Sequence, residues 1–394
     1  MRFVGIDIAS ERHVAAVVDE SGEVAHRPTA FGEDAAGYGR LLELAGSPAD
    51  AFIALEATGH YWKNVFAFLA GHGYSVALVN PLRTRRFAEE ELERTKTDSI
   101  DALGIARFAA QKHPPPTRLA EEVTQELREM VQLRDRLQQD LGDRVRQLHR
   151  AVDLGFPEFT RYVSDLSSEL ATSILKDHQT AKSFIGLRPR ALSNLRYDGR
   201  HFVGLQLATQ LIEAAKVSVG AHHGDAYRVQ VRYFCEDIDV LRQRIRDIDR
   251  DIESKLDSHE VGKLLTTIPG IGPTTAARLI AVLGNPADFE DAAALAAYAG
   301  VVPGLRHSGK KTPSSARLTP FGNGSLRAKL YMPTLTAVRL NPWLKAFYER
   351  LRGRGKPAKV ALLAAMRKLL AAVYSVAKHR QPFVPRLVPT EAQP

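Results

Sequence analysis

Cysteine is almost missing from this chain: Cys235 is the only one in 394 residues. Disulfides within the chain and cysteine-rich zinc centres are therefore excluded, and a metal, if one binds, is expected to be held by oxygen ligands. Long apolar runs are also missing. None reaches the twenty or so residues of a membrane span, and the chain opens directly into MRFVGIDIAS without a signal-peptide pattern. A cytoplasmic protein with no membrane partner is expected. Hydrophobic residues make up 44% and charged residues 25%, as in a folded soluble chain. Its length exceeds what one simple core holds, so two or three domains are expected.

Negative charge is scarce in one place. From Gly300 to Pro394 there are 18 Lys and Arg against two acids, Glu349 and Glu391. That segment is thus +16 in a chain of +9, which leaves −7 for the first 299 residues. A C-terminal quarter of this kind is suited to a polyanion, and Tyr331, Trp343, Phe347 and Tyr348 interleave with its charges. Nucleic acid is the expected partner.

The first 115 residues read as an α/β domain. RFVGIDIA, HVAAVVDE and a weaker segment around EVAHRPTA are short β-rich runs. AAGYGRLLELAG then reads as a helix, DAFIALEA as a buried strand, YWKNVFAFLAGHG as a helix closed by glycine, and YSVALVNP as a further strand. Three strands, a helix, then alternating strand and helix is the ribonuclease-H-like order, a mixed sheet with the first strand central. The remainder reads as all-α. Leu127, Met130, Leu137, Leu141 and Leu148 form one helical stripe, and Ile238, Leu241, Ile245, Ile248 and Ile252 form another. An antiparallel coiled-coil arm over residues 116–262 with a helical insert at about 155–232 is expected; an ordinary helical hairpin within a core is the alternative. In LLTTIPGIGPTTAARLIAVLG, residues 264–284, two apolar segments flank a Gly-rich turn. They resemble a helix-hairpin-helix, whose glycines let amides approach phosphates; a purely structural turn is the alternative. Residues 263–382 form the expected C-terminal domain, and Pro-rich residues 383–394 a loose tail.

KTDSIDALGIARFAAQK, residues 96–112, sets Asp98 and Asp101 three apart at the head of a helix. Taken alone they suit an N-cap and the third helical position. Asp7 ends the first strand, however, and Glu56 the strand expected to pair beside it. In the proposed sheet order both face one crevice, with the Asp98 helix leaning over it. Two carboxylates about 4 Å apart repel by about 4 kcal/mol at an effective dielectric of 20, whereas a cap contributes about 1 kcal/mol. Four converging acids need protons or a divalent cation, and hard oxygen ligands point to Mg²⁺ or Mn²⁺.

Six blocks, GIDIAS, ALEATGHYW, LVNP, RTKTDSIDA, IPGIGPTTA and AYAGVVPGLRHSGKK, closely resemble the transposases of insertion sequence family one-hundred-ten, the DEDD transposases, which include Piv-type DNA invertases. The resemblance covers residues 1 to about 115 and 262 to about 380. It implies a RuvC-like domain whose acids are Asp7, Glu56, Asp98 and Asp101, and a C-terminal transposase domain with a catalytic serine before glycine. Ser308 and Gly309 are that dipeptide in the block; Ser314 and Ser315 lie nearby but do not match. It further implies DNA recombination guided by a structured non-coding bridge RNA pairing with donor and target. Arg306, His307, Lys310 and Lys311 surround Ser308 with donors for phosphate oxygens. Arg317, Arg327, Lys329 and Arg339 read as further phosphate contacts. Several protomers, a dimer or tetramer on DNA, are expected, with the arm as their contact. An RNA-independent invertase, a metal-dependent junction nuclease and a non-catalytic nucleic-acid scaffold are the alternatives.

Overall fold

A computed structural model describes residues 1–57, 59–90, 97–118, 120–304, 317–318 and 322–385. The chain divides into two compact units, residues 1–119 and 120–394.

The first unit is a mixed sheet covered by helices. Its elements are β1 (Arg2–Asp7), β2 (Arg12–Val18), β3 (Val24–Gly32), α1 (Ala35–Ala45), β4 (Ala51–Glu56), α2 (Trp62–Gly71), β5 (Ser75–Val79), α3 (Pro81–Glu90) and α4 (Asp98–Lys112). The strand order is β3-β2-β1-β4-β5. β1 pairs antiparallel with β2 and parallel with β4, an order compatible with a ribonuclease-H-like domain. Because β1 is central, its side chains are buried on both faces. Val4 and Ile6 pack in one core with Leu41, Val65 and Phe66; Phe3 packs in the other with Phe52, Ile105 and Phe108. β3 is one of the two edge strands, exposed over residues 24–27 and carrying Pro28, which has no amide to offer a neighbour.

Gly5 decides how α4 lies. A Cβ there would stand 2.2 Å from the Ala102 carbonyl oxygen and from the Ala106 amide nitrogen. The helix therefore rests directly on the strand through its alanine face, Ala102, Ala106, Ala109 and Ala110. The Phe3 ring meets His113 at the far end of the helix, with centroids 5.6 Å apart. α4 thus runs opposite to β1, and its first turn points toward Asp7.

The second unit is mostly helical. Two long helices, α5 (Glu122–Gly155) and α11 (Asp225–Asp257), pack antiparallel: Glu126 pairs with Lys255, Arg134 with Asp249 at 2.6 Å and Arg144 with Asp237 at 2.9 Å. Between them lies a helical subdomain of α6 (Phe159–Tyr162), α7 (Glu169–Asp177), α8 (Ala181–Phe184), α9 (Pro189–Ser193) and α10 (Leu205–Lys216), with its own core of Phe156, Phe159, Phe184 and Leu211. The other ends of α5 and α11 share a core with α12 (Glu260–Leu265), α13 (Pro273–Leu283), α14 (Ala292–Tyr298), α15 (Gly324–Leu340), α16 (Pro342–Gly353) and α17 (Ala358–His379). Packing is therefore continuous across the boundary expected at residue 262. Phe383, expected in the loose tail, is tied down: its amide donates to Thr267 Oγ1 at 2.8 Å and its ring meets Trp343. Residues 386–394 of that tail lie outside the described residues.

α17 is long and apolar enough, by length and composition alone, to cross a membrane. Here Leu362, Met366, Leu369, Leu370 and Val373 are buried in the core of the unit, so its apolar character has an internal use.

Candidate active site

The carboxylates come to one edge of the sheet by strand register. β1 and β4 pair Gly5 with Ala54 and Ile6 with Leu55; one step further sets Asp7 beside Glu56. Side chains alternate along a strand. Asp7 shares the face of Phe3 and Gly5, and Glu56 that of Phe52 and Ala54, which is the face covered by α4. Asp98 and Asp101 lie on the first turn of α4, Asp98 exposed and Asp101 half-buried.

Capping of α4 does not fall to Asp98. Thr97 is the N-cap: its hydroxyl accepts from the Ile100 amide at 3.3 Å, and its carbonyl accepts from the Asp101 amide at 2.8 Å. Asp98 is the first helical residue, and Asp101 is the fourth. Both favour the positive end of the helix dipole, but the cap bond belongs to their neighbour. β-Branched threonine with its extended backbone (φ −148°) fits that position, so the acids are not needed there.

Glu56 is oriented by α3. The buried Thr84 hydroxyl lies 2.7 Å from Glu56 Oε2 and 3.0 Å from the Pro81 carbonyl oxygen. A second network surrounds the same edge. His13, 1% exposed, accepts the Ala9 amide at Nδ1 (3.2 Å) and meets Glu33 Oε2 through Nε2 at 2.5 Å. Glu33 Oε1 accepts from Asn64 Nδ2 at 2.9 Å. With Nδ1 accepting, the proton of a neutral His13 sits on Nε2 and is donated to Glu33. Partial burial opposes the charge on Glu33, but the bonds from His13 and Asn64 outweigh it and hold its carboxyl below the usual range. This network joins the turn after Asp7, the link from β3 to α1 and the start of α2. Thr84, His13, Glu33 and Asn64 carry no sequence signal beyond being polar residues in apolar surroundings.

Donor chemistry and placement on one edge suit a hard cation. Among the described residues, however, no three His, Cys, Asp or Glu side chains close into a metal-binding group. The register sets Asp7 beside Glu56 and the first turn of α4, with Asp98 and Asp101, points toward that end of the sheet, but no coordination shell is assembled among the described residues.

Ser308, Gly309, Arg306, His307, Lys310, Lys311, Ser314 and Ser315 lie outside the described residues. Their segment is bracketed by two short strands, β6 (Pro303–Gly304) and β7 (Arg317–Leu318), which pair antiparallel. Arg317 is therefore placed by its backbone alone. Two other cations expected on nucleic acid turn inward. Arg327 donates through Nη1 to the Gly300 carbonyl at 3.0 Å, and Lys329 pairs with Asp135 of α5, which also holds Arg278 at 2.6 Å. Each is thus engaged within its own unit. Trp343 packs against the core with the Lys368 ammonium 4.0 Å from its ring centre. In the IPGIGP turn, Gly270 (φ +99°) touches the backbone of Ala337, where a Cβ would stand 2.4 Å from its Cα. That glycine has a structural use within the fold. Burial pushes the Cys235 thiol up to about 12, which disfavours the only thiol as a nucleophile.

Two family models match the chain. One, described as a transposase, covers residues 4–157; the other, of the IS116/IS110/IS902 transposase family, covers residues 262–349. Among similar proteins, an uncharacterized 44.8 kDa protein of insertion element IS116 from Streptomyces clavuligerus is 27% identical over 391 residues, 97% of this chain and 96% of its own. The pilin gene-inverting protein of Moraxella lacunata is 27% identical over 337 residues, 85% and 82% of the two chains. The mini-circle putative transposase for IS117 of Streptomyces coelicolor is 26% identical over 407 residues, 97% and 95%.

Proposed function

Because the chain belongs to the IS116/IS110/IS902 family of transposases and is a DNA transposase or recombinase, we propose that it cuts and rejoins DNA with a carboxylate edge and one serine. The observation that carries this reading is the register that sets Asp7 beside Glu56 under the first turn of α4. Asp7, Glu56, Asp98 and Asp101 would hold a divalent cation, Mg²⁺ or Mn²⁺; when bound, it supplies neutralisation of phosphate charge and activation of an oxygen nucleophile. Thr84 and the His13–Glu33–Asn64 network hold the edge in shape.

Ser308 Oγ is the proposed nucleophile. Its attack on a backbone phosphorus forms a P–O bond to serine and breaks the P–O bond to the deoxyribose, whose oxygen takes up the proton serine gives away. The number of ester bonds is unchanged, so a second deoxyribose hydroxyl can reverse the step on a new strand without ATP. Arg306, Lys310 and Lys311 would meet the phosphate oxygens, and Gly309 leaves the backbone room to close on the strand. Two DNAs present four strands, so several protomers must act together, with the α5 and α11 pair as a contact between them. A structured guide RNA is the proposed source of site choice, and the bacterial nucleoid the place of work.

A second reading, a site-specific invertase without an RNA guide, is favoured by the likeness to the pilin gene-inverting protein. One assay separates these and the junction nuclease. Protein, Mg²⁺ and paired DNA sites are incubated with and without RNA, then denatured and examined for protein covalently attached to DNA. An adduct that needs RNA and is lost in Ser308→Ala, with DNA binding kept, supports the leading reading. An adduct formed without RNA supports the invertase, and strand breakage by Ser308→Ala at the wild-type rate would leave only a metal-dependent nuclease.

A further inference from the structure

The subdomain carried between α5 and α11 has no role in the reading above. Its charge is distributed unlike that of the helices that hold it. On α5 and α11 many of the arginines are paired, among them Arg134 with Asp249, Arg144 with Asp237, Arg242 with Asp239 and Arg246 with Glu169. Between residues 178 and 212 there are five Lys and Arg residues and one acid, Asp198. Lys182, Arg188, Arg190, Arg196 and Arg200 are all exposed, and among the described residues none has an acidic partner.

The single acid is consumed by its own turn. Asp198 Oδ1 accepts from the amides of His201 at 2.7 Å and Arg200 at 3.0 Å, and Oδ2 meets His201 Nδ1 at 2.7 Å. The amide and ring of His201 hold its carboxyl down at about 2, so it remains a turn staple throughout the working pH range. Gly199, at φ +75°, provides the left-handed corner. The turn is closed by an antiparallel bridge between Arg196 and Phe202 and by the Tyr197 amide on the His201 carbonyl at 3.2 Å. What results is a small fixed hairpin that shows flat groups to solvent. The Arg196 guanidinium lies 5.4 Å from the centre of the Phe202 ring, and Phe202 is 54% exposed. The rings of Tyr197 and His201 stack at 24° between planes.

We infer that the hairpin at residues 196–202, with Arg188 and Arg190 just before it, is a binding surface for an unpaired stretch of nucleic acid. Unpartnered cations give the sequence-independent attraction to phosphate. An exposed ring with a guanidinium on it gives a platform for a base, and a base offers its flat face only when it is not stacked inside a duplex. An acidic peptide would match the charges but has no use for the rings. The inference stands apart from the carboxylate edge and Ser308, and its test reads binding instead of strand breakage.

The test uses the full chain with fluorescent 20-mers: single-stranded RNA, single-stranded DNA of the same sequence, and the corresponding duplex. Phe202→Ala should weaken both single strands about tenfold and the duplex less than twofold. Arg196→Ala with Arg200→Ala should lower the slope of log affinity against log salt by about 1.4 on single strands. A 4-thiouridine oligonucleotide should crosslink to the peptide containing residues 196–202. These residues are exposed, and an unchanged melting temperature verifies that the variants fold. Loss of affinity for RNA alone or for both single strands supports the surface and distinguishes its source. Unchanged affinity in all variants with no crosslink, or equal displacement by poly-glutamate with Phe202→Ala silent, overturns it.

Discussion

The sheet edge of the first unit and the basic C-terminal quarter of the second use charge in opposite ways. At the edge, like charges are gathered: backbone register brings Asp7 and Glu56 side by side, and α4 adds Asp98 and Asp101. In the second unit, cations that look available by count are spent within the fold, as Lys329 and Arg278 are on Asp135 and Arg327 is on Gly300. Neighbouring carboxylates repel one another, whereas the paired cations contribute to the stability of their own unit. A charge count therefore indicates a partner only after the internal contacts are subtracted. By that measure the exposed cations of residues 182–200 are more available than Arg327 or Lys329.

The contrast can be broken most sharply at Asp7. Asp7→Asn or Glu56→Gln should reduce strand cleavage about a thousandfold while leaving the melting temperature unchanged or raised, because removing one of several neighbouring carboxylates relieves repulsion. A melting temperature that fell with activity would make these acids structural. Gly5→Val comes next. Its side chain would occupy the space of the Ala102 and Ala106 backbone, so it should cost about 3 kcal/mol in urea unfolding and abolish cleavage with it. Unchanged stability would mean that α4 does not rest on the strand.

On the other side of the comparison, Asp135→Ala should cost about 2 kcal/mol by leaving Arg278, 12% exposed, without its carboxylate. Lys329→Ala should lower stability by under 1 kcal/mol and leave DNA affinity within twofold. A large loss of affinity with no change in stability would return Lys329 to the DNA. The smallest effect is a pH dependence. His259 caps α12 through Nδ1 on the Gly262 amide at 3.0 Å, and its Nε2 lies 3.2 Å from Thr124 Oγ1. Burial lowers its pKa below the ordinary imidazole value of about 6.5. The unfolded chain then binds the proton first, so stability is complete above about pH 6.5 and declines below it, by at most about 1.4 kcal/mol per pH unit. Thermal melts at pH 7.5, 6.5 and 5.5 should show this step, and His259→Asn should flatten it.

Much of the first unit was legible because strands speak locally. The five strands carry short β-branched and apolar runs, and a period of two fixes which side chains share a face once the order is given. That alternation is what sets Asp7 and Glu56 on one face of the sheet. The second cue, a helix headed by Asp98 and Asp101, left the cap open: Thr97, Asp98 and Ser99 are three capping candidates in a row, and sequence does not say which backbone turns extended first. Thr97 does. His13 was silent for a different reason. Its partners Ala9 and Glu33 are 4 and 20 positions away, and Asn64, which holds Glu33, is 31 further on from Glu33, in no periodic relation.

By itself the sequence determined the elements, the family and the lopsided charge, since each depends on composition or on spacing within a few residues. Tertiary structure alone decided which charges remain outward. Lys329 and Arg200 are alike in sequence, long cations in polar surroundings. One finds a carboxylate on a helix nearly two hundred residues earlier, while the other stands on a turn whose only acid is already bound to its own backbone. That difference arises from distances across the folded chain, which no local pattern encodes.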